Sequence, residues 1–209
     1  MATNFPTSVD VLTNPVSNDS LNSPSHSAQH ANANDAIEAV EDYLLNGAGK
    51  SGLVLVKSQA VGTGVASVTV TDAFNANYLN YKIIYAGGVK SVADAIKLNF
   101  VGSTTGYNFA LLYSTFTTAT PLAAVGSNQA AFDFVGGGDG NGAYLSCELM
   151  RPFDTSYTSF SATTYGLVTT SGYVSGIHKV GSSFSSFTLT PVSGTLTSGT
   201  IWVYGYKVA

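Results

Sequence analysis

The chain has 209 residues, only 10% of them charged, and a formal net charge of −4, whereas roughly a quarter of the residues in an average soluble domain are charged. Eight Lys and Arg residues in all leave no basic patch to neutralise phosphates, so no nucleic-acid partner is expected. No run approaches the ~18 apolar residues of a membrane span, and the opening Met1-Ala2-Thr3-Asn4-Phe5-Pro6 lacks the regions of a signal peptide.

Hydrophobic residues still make up 44% of the chain, enough to fill a core. Ser, Thr, Asn and Gly supply 84 residues. Polarity therefore comes from hydroxyls, amides and backbone, which suits strands and turns better than surface helices. The single cysteine, Cys147, has no disulfide partner in the chain and reads as a small buried hydrophobe.

In chain order, residues 1–23 read as an extended arm. Phe5, Val9, Leu12 and Leu21 are spaced among Pro6, Pro15 and turn-forming residues, a composition that does not fold alone and needs a surface to order it. Residues 24–46 read as one short helix, with Ser23 as N-cap, Pro24 in the first helical position and Asn46-Gly47 as the stop. His26, His30, Ala33, Ile37, Val40 and Leu44 recur at heptad spacing, a seam that needs a partner. Copies of the same helix are the favoured partner, and packing on the chain's own following domain is the other.

From residue 47 to 209 the sequence reads as a β-sandwich domain, jelly-roll-like, with strands expected at 53–57, 65–74, 78–86, 95–101, 108–116, 131–135, 143–151, 158–165, 172–180, 184–190 and 199–207. Turn signals separate them, and the glycine-rich run 136–142 reads as a flexible hairpin tip.

Chemistry-bearing constellations are sparse. His178 lies on a strand with no carboxylate near it in sequence and reads as structural. Asp133, Glu148 and Asp154 are the carboxylates to weigh as a glycosidase pair, but no spacing ties them together. The 136–142 run lacks the Lys and Ser/Thr of a phosphate loop and the ligand number of a calcium loop. No enzyme activity, cofactor or metal is expected. His26 and His30, four apart on one helix face, leave two readings open: rings that fix register and oligomeric state, or rings that hold water, an anion or a metal. Twelve tyrosines and eleven phenylalanines leave room for a sugar-stacking platform.

Two stretches carry a resemblance. Phe5-Pro6-Thr7-Ser8, Asn14-Pro15, Ser23-Pro24-Ser25-His26, His30 and Asn34-Asp35-Ala36-Ile37-Glu38 resemble an arm-and-helix module at the N-termini of tailed-bacteriophage virion proteins. SGTIWVYGYK at 198–207, with YKIIYAGG at 81–88 and IKLNFVGS at 96–103, is similar to strands of a phage virion β-sandwich; between about 104 and 170 the likeness is loose. The resemblance implies a homotrimeric virion part assembled in the host cytoplasm, a capsid decoration, cement protein or head fibre. Residues 1–23, through Phe5, Pro6, Val9, Leu12, Pro15 and Leu21, would anchor it to the major capsid protein or another virion protein. The helix would trimerise it. The alternative is a short tail fibre whose sandwich binds a host glycan.

Overall fold

A computed structural model describes residues 25–45, 52–118, 120–167 and 169–207. The anchoring residues Phe5, Pro6, Val9, Leu12, Pro15 and Leu21 lie outside the described residues, as do Ser23, Pro24, Asn46 and Gly47. Contacts divide the chain into two units, Met1–Ser51 and Gly52–Val208.

In the first unit, α1 spans His26–Leu45. Its cap is Ser25 and not the expected Ser23: Ser25 Oγ accepts from the Ala28 N–H at 3.2 Å, and the Ser25 carbonyl accepts from Gln29 N–H at 3.1 Å. A hydroxyl three residues before an N–H is the N-cap geometry, and Ser25 meets it as well as its neighbour does in sequence.

The second unit is mainly β, with twelve antiparallel strands among the described residues: β1 (Gly52–Ala60), β2 (Val68–Val70), β3 (Asn80–Lys90), β4 (Asp94–Phe100), β5 (Tyr107–Thr115), β6 (Leu122–Gln129), β7 (Phe132–Asp139), β8 (Gly142–Met150), β9 (Thr158–Leu167), β10 (Thr170–His178), β11 (Phe187–Pro191) and β12 (Leu196–Lys207). One run of strands is β1-β12-β3-β8-β9-β10-β5-β6, and a second is β2-β11-β4-β7.

The two runs meet at β8, whose edge away from β3 is divided. Gly142–Leu145 pair with β7, whereas Cys147–Met150 pair with β9, so the sheet forks at Ser146. Beyond the fork the two layers face each other as a sandwich. Alternation places one side chain in two inside: Tyr81, Ile83 and Tyr85 of β3, and Tyr107, Phe109 and Leu111 of β5, are buried. The stacked rings of Phe132 and Phe160, 4.0 Å apart, bridge the layers.

Three expectations about the strands are corrected. The 65–74 strand shrinks to Val68–Val70: Asp72 ends it with a left-handed turn at φ 53°, and Val65 makes only an isolated bridge to Leu196. A strand not expected, β6, lines the edge beside β5. Gly136, Gly137 and Gly138 are buried strand residues, and the hairpin tip is only Gly140-Asn141, held by Asp139 Oδ1 accepting from Asn141 N–H at 2.8 Å. A Cβ on Gly138 would collide with the Gly142 carbonyl and the Ala143 backbone, so the glycines allow β7 and β8 to approach.

Candidate functional site

A pocket of about 270 Å3 opens at the mouth of the sandwich. On one side stand Asp94, Ala95 and Lys97 of β4 and Asp133 and Phe134 of β7; on the other stand Leu111 and Tyr113 of β5, Ala124 of β6 and Thr170 of β10, with Val192 at the rim.

Its shape follows from a bulge. Ile96 pairs with Gly136 but Leu98 pairs with Phe132, so four steps along β7 match two along β4. The two extra residues swing out of the ladder, and bulges of this kind re-aim side chains. Phe134, in the bulge, sits at φ 62°. A bulky residue rarely adopts that conformation, which costs on the order of 1–3 kcal/mol and clusters at functional sites.

Two ion pairs flank the pocket. Lys97 Nζ lies 3.4 Å from Asp133 Oδ1, with side chains 36% and 24% exposed, so this pair faces solvent. The other pair is built into the wall. Lys90, whose side chain is fully buried, donates to Asp94 Oδ1 and to the Ala95 carbonyl at 2.8 Å, while Ser193 Oγ donates to Asp94 Oδ2. Burial pushes the Lys90 ammonium below its ordinary pKa, and the Asp94 hydrogen bond and charge oppose that shift. Four charges of alternating sign leave the pocket electrically neutral.

The carboxylates weighed from sequence are held separately. Asp133 pairs with Lys97, Asp154 with Arg151 at 2.6 Å, and Glu148 takes Lys82 at 3.0 Å and the Tyr206 hydroxyl at 2.6 Å. Burial, then Glu148, pushes the Tyr206 phenol up to about 12. Among the described residues, no hydrogen bond or ion pair joins two of these three carboxylates.

His178 is fully buried among Phe100, Tyr107, Phe132 and Phe184. Its Nε2 lies 2.8 Å from Ser103 Oγ and 3.1 Å from the Thr105 carbonyl oxygen. A carbonyl only accepts, so Nε2 carries the proton and the Nδ1 lone pair is the buried group left without a partner. A Ser–His base pair for nucleophilic catalysis needs an acid on Nδ1 and an open serine. Here Nδ1 has no acid and Ser103 is buried, so the pair fastens the β4–β5 loop to the end of β10. Cys147 is buried, and its thiol is pushed up to about 12 by burial, the environment of an inert thiol.

On α1 the residues of the seam share one face. His26, His30, Ala33, Ile37, Val40 and Leu44 are all exposed, Ile37 to 57%, Val40 to 41% and Leu44 to 63%. His26 and His30 touch through Nε2 atoms 3.0 Å apart, a contact in which one ring donates and the other accepts. Among the described residues no group of three or more His, Cys, Asp or Glu converges as a metal site.

Of the residues around this pocket, sequence reasoning singled out only Asp133, as a glycosidase carboxylate, and missed Lys90, Asp94, Lys97, Tyr113, Phe134 and Thr170. The available signal was charge: in a chain this poor in charge, Lys97 between Ile96 and Leu98 marks a strand position that faces something polar. No protein-family model and no curated protein sequence matches the chain.

Proposed function

We propose that the chain is a structural virion protein of a tailed phage, a homotrimer held by its helices, anchored through residues 1–23, that decorates or stabilises the capsid. The observation that carries this reading is the seam. A soluble helix seldom leaves three large aliphatic side chains in one exposed row, and the spacing here is that of helices packing on copies of themselves. Ile37 and Val40 fall in the two core positions of the heptad, and β-branched residues in both favour three strands or more. His26 and His30 then form polar layers that set the register. Three arms on one trimer suit a threefold position on a shell, and a part that binds only the assembled shell stabilises it by mass action.

A jelly-roll-like winding of the sandwich is supported by its nested ladders. β3 pairs β12, β4 pairs β11, β5 pairs β10 and β8 pairs β9, the order of one long hairpin rolled up. The strands β5, β6, β9 and β10 contain no Asp, Glu, Lys or Arg. A charge-free quarter of the domain is a surface suited to neighbours or to neutral ligands.

The test is the copy number and position of the chain on purified particles, read by quantitative mass spectrometry and electron cryomicroscopy with and without residues 2–23. Copies in multiples of three at shell positions, lost on deletion of the arm, support the reading. A chain found only at the tail tip supports the second reading, a receptor-binding short fibre, which the pocket at the mouth of the sandwich favours.

A further inference from the structure

We propose that the pocket between β4, β7, β5 and β6 binds a neutral pyranose sugar; this rests on the receptor-binding reading and names its site and ligand class.

Four features coincide there and nowhere else among the described residues. The β7 bulge carries two extra residues, Phe134 within it holds a left-handed backbone, Asp94 pairs with the buried Lys90, and the cavity is lined by both Phe134 and Asp94. Strain and a buried cation are costly for a chain that needs only a lid on its core. They are expected where side chains must be held in place for a ligand.

The ligand class follows from the lining. Phe134 and Tyr113 offer aromatic surface to the C–H face of a sugar ring, and Leu111 and Ala124 close the wall without polar atoms. Asp133 and Lys97 stand side by side at the rim, an acceptor and a donor 3.4 Å apart and both open to solvent. Adjacent sugar hydroxyls, each able to donate and accept, match such a pair. Charge selects among sugars. Lys90 with Asp94 and Lys97 with Asp133 cancel, so an acidic sugar gains no net attraction and would set its carboxylate near two others. The volume of about 270 Å3 falls just under the roughly 300–1,000 Å3 of pockets for larger ligands, which suits one ring. Three such weak sites on a trimer would gain by avidity.

The experiment uses the full chain on an array of neutral and acidic glycans, followed by titration with methyl glycosides of glucose, galactose, mannose and N-acetylglucosamine under saturation-transfer NMR. Asp133→Asn removes the rim acceptor charge, and Ala124→Leu fills the cavity from the edge strand. Unchanged thermal unfolding of each variant certifies its fold. Binding of a neutral glycoside that weakens about tenfold or more in both variants supports the proposal. Neutral-sugar binding untouched by either variant overturns this pocket and leaves the receptor-binding reading standing. Binding confined to acidic glycans overturns the ligand class. Absence of any glycan binding overturns the site and the receptor-binding reading together.

Discussion

Phe132 lies flat against Phe160, ring centroids 4.0 Å apart and planes 29° from parallel, beyond the fork, where β7 has left β8 and β9 has taken its place beside it. Both rings are buried. Among the paired strands the two layers share a ladder only at β7–β8, so beyond the fork ring contacts such as this one tie them together. Phe132 also meets Tyr107 edge-on at 4.9 Å, which carries the contact across to β5.

Replacing Phe132 with Ala therefore removes a bridge as well as buried area. The expected loss is about 3–5 kcal/mol, read as a lower midpoint in urea with an unchanged slope. Phe132→Leu, which keeps most of the volume, should lose much less. A loss under about 1 kcal/mol for the alanine variant would show that the layers are held elsewhere.

The Lys90–Asp94 pair has a different energetic character. Lys90 is sealed in the wall with Asp94 and the Ala95 carbonyl as its partners. Asp94→Asn leaves that ammonium without a counter-charge, and breaking a buried pair in this way costs about 3–5 kcal/mol. Replacing both, as Lys90→Met with Asp94→Asn, removes the charge along with its partner and should recover most of the loss in thermal unfolding. Equal destabilisation of the single and double variants would mean that the pair acts through Ser193 and loop geometry, not through charge.

Much of this fold was legible because period-2 alternation reports burial directly. Strands such as β3, β5 and β12 alternate, and their inward residues are the buried ones. β6 was illegible for the converse reason. Its sequence LAAVGSNQ packs little, its Val125 is 81% exposed, and an edge strand is specified by its neighbour's hydrogen bonds. Gly136, Gly137 and Gly138 looked like a loop because a glycine run encodes freedom of φ and close approach alike; only the facing Ala143 and Leu145 decide between them. The pocket was hidden in the same way. Asp133 and Lys97 are neighbours only because a bulge, a mismatch between two strands, brings them together.

His178 gives the fold a pH dependence of known sign. Burial, opposed in part by its hydrogen bond to Thr105, holds the imidazole below its ordinary pKa of 6.5. The unfolded chain thus takes up a proton at this residue before the folded one does. From His178, stability is full above about pH 6.5 and falls as the pH drops through that value, until the folded imidazole also protonates. Urea midpoints between pH 7.5 and 5 should decline more steeply in the wild type than in His178→Gln, which keeps a donor for Ser103 and Thr105 but does not titrate. Parallel curves would assign the acid sensitivity to other groups.

The seam on α1 makes the sharpest prediction about assembly. Ile37 and Val40 are exposed on α1, which belongs to the first of the two compact units. Placing Asp at both puts six carboxylates on the axis of a trimer, where like charges repel and desolvation is costly. The Ile37→Asp, Val40→Asp chain should therefore run as a monomer in multi-angle light scattering, with its sandwich unfolding at the wild-type temperature. His26→Leu with His30→Leu should act in the opposite direction. Apolar layers in place of polar ones tighten the bundle while loosening its register, so a higher melting temperature should accompany a mixture of oligomers. A wild-type mass that is already monomeric, or a mass unchanged by the aspartates, would remove the helix from the assembly and leave the charge-free strands β5, β6, β9 and β10 as the next surface to mutate.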